Sequence, residues 1–144
     1  MATIEHQIDI EAPAGATWAV LTDFARYPDW NPFMRAVDGE PSVGRQLTIT
    51  ITPGRRSMTF KPVVLAHERG QVIRWRGRFL LPGVFDGEHE LRVEPIGVGR
   101  SRFTQRERFT GVLVPILAGM LKDTGRGFED MNNALKQRVE DGRG

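Results

Sequence analysis

Residues 85–110 read FDGEHELRVEPIGVGRSRFTQRERFT. In the first half Phe85, Gly87, His89, Leu91 and Val93 alternate with Asp86, Glu88, Glu90, Arg92 and Glu94. In the second half Phe103, Gln105, Glu107 and Phe109 alternate with Arg102, Thr104, Arg106 and Arg108. Period-two alternation marks strands with one face buried. Between them Gly97-Val98-Gly99 reads as a hairpin turn. A three-residue loop keeps both inward sets on one face. It predicts that Val93 faces Phe103, Leu91 faces Gln105 and His89 faces Glu107; a longer loop shifts the pairs by two.

Upstream the same period persists. Ile73, Trp75, Gly77, Phe79 and Leu81 alternate with Arg74, Arg76, Arg78 and Leu80. Met58, Phe60, Val64 and Ala66 line a further strand. Leu47, Ile49 and Ile51 alternate with Thr48, Thr50 and Thr52 before Pro53-Gly54 breaks the run. At the start, Ile4, His6, Ile8 and Ile10 share one face of a strand that Ala12-Pro13 ends. A short helix is expected over 14–24, with Trp18, Leu21 and Phe24 inward. A turn follows at Tyr27-Pro28-Asp29-Trp30-Asn31-Pro32, where two prolines fix the backbone around a large ring.

Downstream the period changes. Leu117, Leu121, Thr124, Phe128, Met131, Leu135 and Val139 recur at helical spacing. Pro115 suits the first turn of this long amphipathic helix. Gly125 and Gly127 weaken it, or let it bend, or let the sheet approach closely. Residues 141–144 read as a frayed tail. The expectation is one α+β domain over residues 1–140: a curved antiparallel sheet of about seven strands wrapped around the C-terminal helix, with two short helices after the first strand.

The two faces of the sheet carry different chemistry. Outward, an acidic strand (Asp86, Glu88, Glu90, Glu94) is expected between basic ones carrying Arg74, Arg76 and Arg78 on one side and Arg102, Arg106 and Arg108 on the other. Adjacent opposite charges read as a solvated salt-bridge ladder rather than a nucleic-acid or membrane patch. Inward, three polar residues interrupt an apolar face: His89, Gln105 and Glu107. An unpaired buried carboxylate is costly, so Glu107 needs a partner, water or a ligand. Structural pairing with His89, lining of a ligand cavity and general acid–base chemistry by the pair all remain open.

The remaining signals mostly exclude. The chain of 144 residues has 40% hydrophobic and 26% charged residues, as a globular chain does. Its net charge of +2 makes no case for a nucleic-acid partner. With no cysteine there is no disulfide, thiolate metal site or cysteine nucleophile. His6, His67 and His89 lie on separate strands without metal-binding spacing, so neither a metal nor another cofactor is expected. No serine sits on a strand-to-helix elbow. The N-terminus shows no signal peptide, and the apolar stretch 112–121 is too short to cross a bilayer, which leads to the expectation of a cytoplasmic protein without integral membrane association.

The order of elements resembles the SRPBCC superfamily (START-like, helix-grip), and within it the polyketide cyclase/dehydrase and lipid transport group. Ile10-Glu11-Ala12-Pro13, Thr17 to Phe24, Tyr27 to Pro32, Gly87-Glu88-His89, Glu107 to Gly111 and Gly127 to Lys136 carry the resemblance. It implies a cavity between sheet and long helix, lined by Phe60, Trp75, Phe79, His89, Leu91, Phe103, Gln105, Glu107, Leu121 and Phe128. Trp30 and Phe33 would lie at its mouth or plug the space under the short helices. The expected partner is a small apolar ligand such as a lipid, polyketide or quinone, whose polar end His89, Gln105 and Glu107 orient. The alternatives are a cyclase/dehydratase using His89 or Glu107, and a protein-interaction module. Monomer and homodimer are left open.

Overall fold

The computed structural model describes residues 1–79, 81 and 83–142, with the backbone alone at Phe79. The chain begins with β1 (Ala2–Ile10), α1 (Ala14–Thr22), a 3-10 turn (Phe24–Arg26) and α2 (Tyr27–Trp30). The strands β2 (Met34–Asp38), β3 (Thr48–Ile51), β4 (Met58–Phe60), β5 (Val63–Glu68) and β6 (Val72–Phe79) follow. The long strands β7 (Phe85–Gly97) and β8 (Arg100–Thr110) lead through a second 3-10 turn (Val114–Ile116) to α3 (Ala118–Asp141). This is the helix-grip architecture.

All pairings are antiparallel, in the orders β1-β8-β7-β6-β5 and β2-β3-β4. A bridge between Gln46 and Val63 continues the register of the Ile49–Phe60 pair, so the small sheet runs on into β5. Pro62 makes the break: it has no N–H to donate, although its carbonyl still accepts from the Leu47 N–H at 2.9 Å. The single strand expected over 58–66 is therefore two, β2 adds one that the alternation did not mark, and the described residues form eight strands rather than about seven.

The β7–β8 register pairs Val93 with Phe103, Leu91 with Gln105 and His89 with Glu107, as the alternation predicts. The loop differs. Gly97 pairs with Arg100 across a two-residue turn, and a bulge between Pro95 and Gly97 absorbs the extra residue. Other local expectations shift too. The turn expected at 27–32 contains α2, with Pro28 in its first turn. Pro115 lies in the 3-10 turn, and α3 starts three residues later. The helix continues through Asp141, and Arg143 and Gly144 lie outside the described residues.

The main core joins the sheet to α3 through Ile73, Trp75, Leu91, Phe103, Phe128, Met131 and Leu135, all buried. Under the short helices, the Tyr27 hydroxyl donates to the Leu21 carbonyl, and burial pushes its pKa far above the ordinary phenol range. Asn31 Oδ1 accepts from the N–H groups of Phe33 (3.0 Å) and Met34 (2.8 Å). Those bonds hold Phe33 against α3 at Gly127, where a Cβ would stand 2.2 Å from the ring. A smaller cluster of Phe85, Phe109 and Val114 sits apart from the main core.

On the outer face the charge ladder is real but incomplete. Arg74 pairs with Glu88 at 3.1 Å, and Arg102 with Asp9 of β1 at 2.7 Å. The Arg102 guanidinium holds the Asp9 carboxyl below its ordinary pKa. Arg106 reaches Glu5 at 4.0 Å. Among the described residues no helix is long and apolar enough to cross a membrane.

Candidate functional site

The β6–β7–β8 register brings Trp75, His89 and Glu107 side by side on the inner face. His89 Nδ1 lies 3.1 Å from Glu107 Oε1, and its Nε2 lies 3.1 Å from Gln105 Oε1. The imidazole stacks on Trp75 at 5.2 Å and meets the edge of Phe128 at 5.0 Å. Gln105 Nε2 in turn donates to Asn132 Oδ1 on α3 at 2.8 Å and to the Phe128 carbonyl at 3.4 Å. A polar chain thus crosses the core from Glu107 to α3.

The chain has a proton requirement. A neutral imidazole has one N–H, yet both His89 nitrogens face oxygen. The Phe128 carbonyl favours the NH₂ group of Gln105 on its own side, which turns Oε1 toward His89. His89 Nε2 is then the donor to Gln105, and Nδ1 faces the Glu107 carboxyl. The His89 and Glu107 side chains are 4% and 14% exposed, so the pair is nearly dry. Gly87 makes the space: a Cβ there would stand 2.4 Å from Glu107 Oε2.

A pocket opens beside this pair. Met34, Ile51, Pro53, Met58 and Phe60 form one wall, with Phe33 at its edge. His89, Glu107 and Phe109 form the sheet side, and Met120 and Thr124 of α3 close it. The space open to the centre of a water molecule is about 20 Å³, room for one water. The interior is therefore largely filled by side chains. Three of the lining residues are methionines, whose unbranched side chains repack readily.

Of the residues expected to line a cavity, Phe33, Phe60, His89 and Glu107 do so. Trp75, Leu91, Phe103, Gln105 and Phe128 are fully buried in the core instead. Leu121 packs on the Phe85–Phe109 cluster. Trp30 packs edge-on against Tyr27 at 5.1 Å, under the short helices and away from the pocket walls. The Phe79 side chain lies outside the described residues. The sequence reading put Met58 on a strand but not in the pocket, and it missed Met34, Met120 and Asn132. A signal for Asn132 existed, since it lies four residues after Phe128 and three before Leu135, on the same helix face. No cluster of His, Asp and Glu among the described residues could hold a metal ion.

The fold has clear relatives among solved structures. The aromatase/cyclase Zhui from Streptomyces sp. R1128 is 21% identical with a TM-score of 0.78, over 96% of this chain and 93% of that one. A START superfamily protein from Mycobacterium smegmatis is 20% identical with a TM-score of 0.76, over 96% and 97%. A norcoclaurine synthase from Thalictrum flavum is 17% identical with a TM-score of 0.77, over 99% and 96%. Such identities show a shared fold and no more. No curated protein matches the sequence. The sequence profile described as polyketide cyclase/dehydrase and lipid transport, however, matches residues 1–140, and the chain belongs to that family.

Proposed function

We propose that the protein binds a small, largely apolar molecule between β2–β4, the inner face of β7–β8 and the first turns of α3. The observation that carries this reading is the buried His89–Glu107 pair at the wall of an otherwise mostly apolar pocket. Glu107 Oε1 is engaged by His89, which leaves Oε2 for the ligand. A carboxylate accepts hydrogen bonds, so the ligand carries a hydroxyl or phenol at its buried end. Entry requires Met34, Met58 and Met120 to move, and that opening cost comes off the affinity.

Native mass spectrometry and a thermal-shift screen of sterols, hydroxylated aromatic polyketides, fatty acids and quinones test this. A ligand at 100 times its Kd adds about 2.7 kcal/mol, or roughly 5–10 °C at this chain length. Hydroxylated ligands are expected to stabilise, and Glu107→Gln to weaken them about tenfold. A flat response across the screen would sink the proposal.

The same pair supports a second reading, a cyclase/dehydratase in which His89 or Glu107 moves a proton to or from the bound molecule. His89→Ala would then abolish turnover and spare binding. Loss of affinity in step with any loss of turnover would mark a binding protein.

A further inference from the structure

We propose that the end of the molecule where Gly83 and Val84 meet the β8–α3 connection docks on an anionic lipid surface. Two independent observations meet there. The first is apolar exposure. Met1 (79% exposed), Leu81 (69%), Val112 (73%) and Ile116 (75%) all lie at this end. The pairing of Ala2 with Phe109 and of Phe79 with Phe85 puts the start of β1 and the end of β6 at the same edge. The Val112 N–H donates to the Gly83 carbonyl at 3.2 Å, and the Leu113 N–H to that of Val84 at 3.0 Å, which laces the two segments together. Gly111 allows this close approach: its φ is +121°, and a Cβ would meet the Val84 carbonyl oxygen at 2.4 Å. The tip is thus a built feature, standing on the Phe85–Phe109–Val114 cluster.

The second observation is charge. The adjoining groove on the outer face is lined by Arg76, Arg78, Arg108 and Thr110, with Asp86 and Glu88. Glu88 is engaged by Arg74, and Asp86 accepts from the Gly83 N–H at 3.2 Å. Among the described residues, Arg76 and Arg78 make no ion pair, and Arg108 meets only the Met1 sulfur at 3.1 Å. The ladder that is neutralised elsewhere leaves three arginines unpaired beside the tip. Projecting apolar side chains flanked by unpaired cations match an anionic bilayer, whose headgroups take the arginines while its acyl boundary takes the tip. The groove beside the tip is lined mostly by charged side chains, which suits headgroups better than the apolar side chains of a protein partner. This docking goes beyond ligand binding and does not depend on it.

The test is co-sedimentation of the full chain with vesicles of phosphatidylcholine, alone or mixed with phosphatidylglycerol. Binding to the mixed vesicles only, weakening as salt is raised, is expected. The double variant Val112→Ser/Ile116→Ser should lose about tenfold in partitioning, and Arg78→Ala about fivefold. All these side chains are exposed, so the melting temperature should hold, as should any ligand-induced thermal shift in vesicle-free buffer. Absence of binding to both vesicles, or binding that ignores these substitutions, overturns the proposal. So does a wild-type dimer that the Val112→Ser/Ile116→Ser change makes monomeric, since a second copy would then cover the tip.

Discussion

Two glycines two residues apart in α3 should respond oppositely to alanine. In a helix interior Gly→Ala gains about 0.8–1 kcal/mol from backbone propensity. At Gly125 nothing opposes that gain: a Cβ would rest 3.6 Å from Ile4 Cγ2 and 3.7 Å from His6 Nε2, ordinary contacts. At Gly127 the same atom would stand 2.2, 2.5 and 2.9 Å from Phe33 Cδ1, Cε1 and Cγ. The ring is 2% exposed and packs edge-on against Phe128 at 5.6 Å. Its backbone is tied by the Asn31 bond and by its carbonyl, which accepts from the Thr52 N–H at 2.9 Å. It has nowhere to retreat except toward the pocket it lines. Overpacking costs about 1–3 kcal/mol, and expelling a buried phenylalanine about 3–5. After the propensity gain, Gly127→Ala should lose about 0–2 kcal/mol if the ring yields in place and about 2–4 if it is expelled, while Gly125→Ala gains up to about 1. Urea unfolding reads the difference directly. Phe33→Leu on the Gly127→Ala background should recover part of the loss, a coupling that a double-mutant cycle isolates. If Gly127→Ala stabilises as much as Gly125→Ala, the close approach of Phe33 to α3 is wrong.

Gly87→Ala should drive Glu107 away from His89, costing about 1–3 kcal/mol and abolishing any ligand response; an unchanged melting curve would contradict the tight fit. Tyr27→Phe leaves the Leu21 carbonyl without its buried donor and should cost about 1–3 kcal/mol in denaturant titration. Because Arg102 lowers the Asp9 pKa, the ion pair stabilises the fold above the ordinary value of 3.8 and loses that contribution as pH falls through the lower folded value. Arg102→Ala should therefore be less stable than wild type at neutral pH and converge with it in acid; a gap that persists in acid would point to packing. Nitrogen NMR of His89 should find Nε2 protonated. A neutral ring protonated only at Nδ1 would mean that the Gln105 amide is reversed.

The β7–β8 register and the His89–Glu107 contact were legible because strand alternation fixes which face a residue takes, and one turn then fixes its partner. Alternation says nothing of depth along the strand. Trp75, Leu91 and Phe103 share the face of His89, yet α3 fills the space above them, while the opening lies nearer Phe109 and Met120. The bulge beside Gly97 compensates for the shorter turn, so the pairs hold although the loop differs. Pro62 was readable as a strand break. The pairing of outward arginines was legible as a pattern, but which ones lack a partner depends on side-chain reach.

The placement of β1 at the sheet edge beside β8 sets the order in which the chain can assemble. Ala2 finds its partner at Phe109 and Ile10 at Ser101. At ribosomal speeds of roughly 5–20 residues per second, the first strand made waits about 5–20 s for the last. During that interval the Ile4–Ile10 face has neither β8 nor α3 to cover it. A nascent chain of this topology depends on its long hairpin forming first. Substitutions that slow the β7–β8 turn should therefore reduce soluble yield more than they reduce the stability of the finished fold.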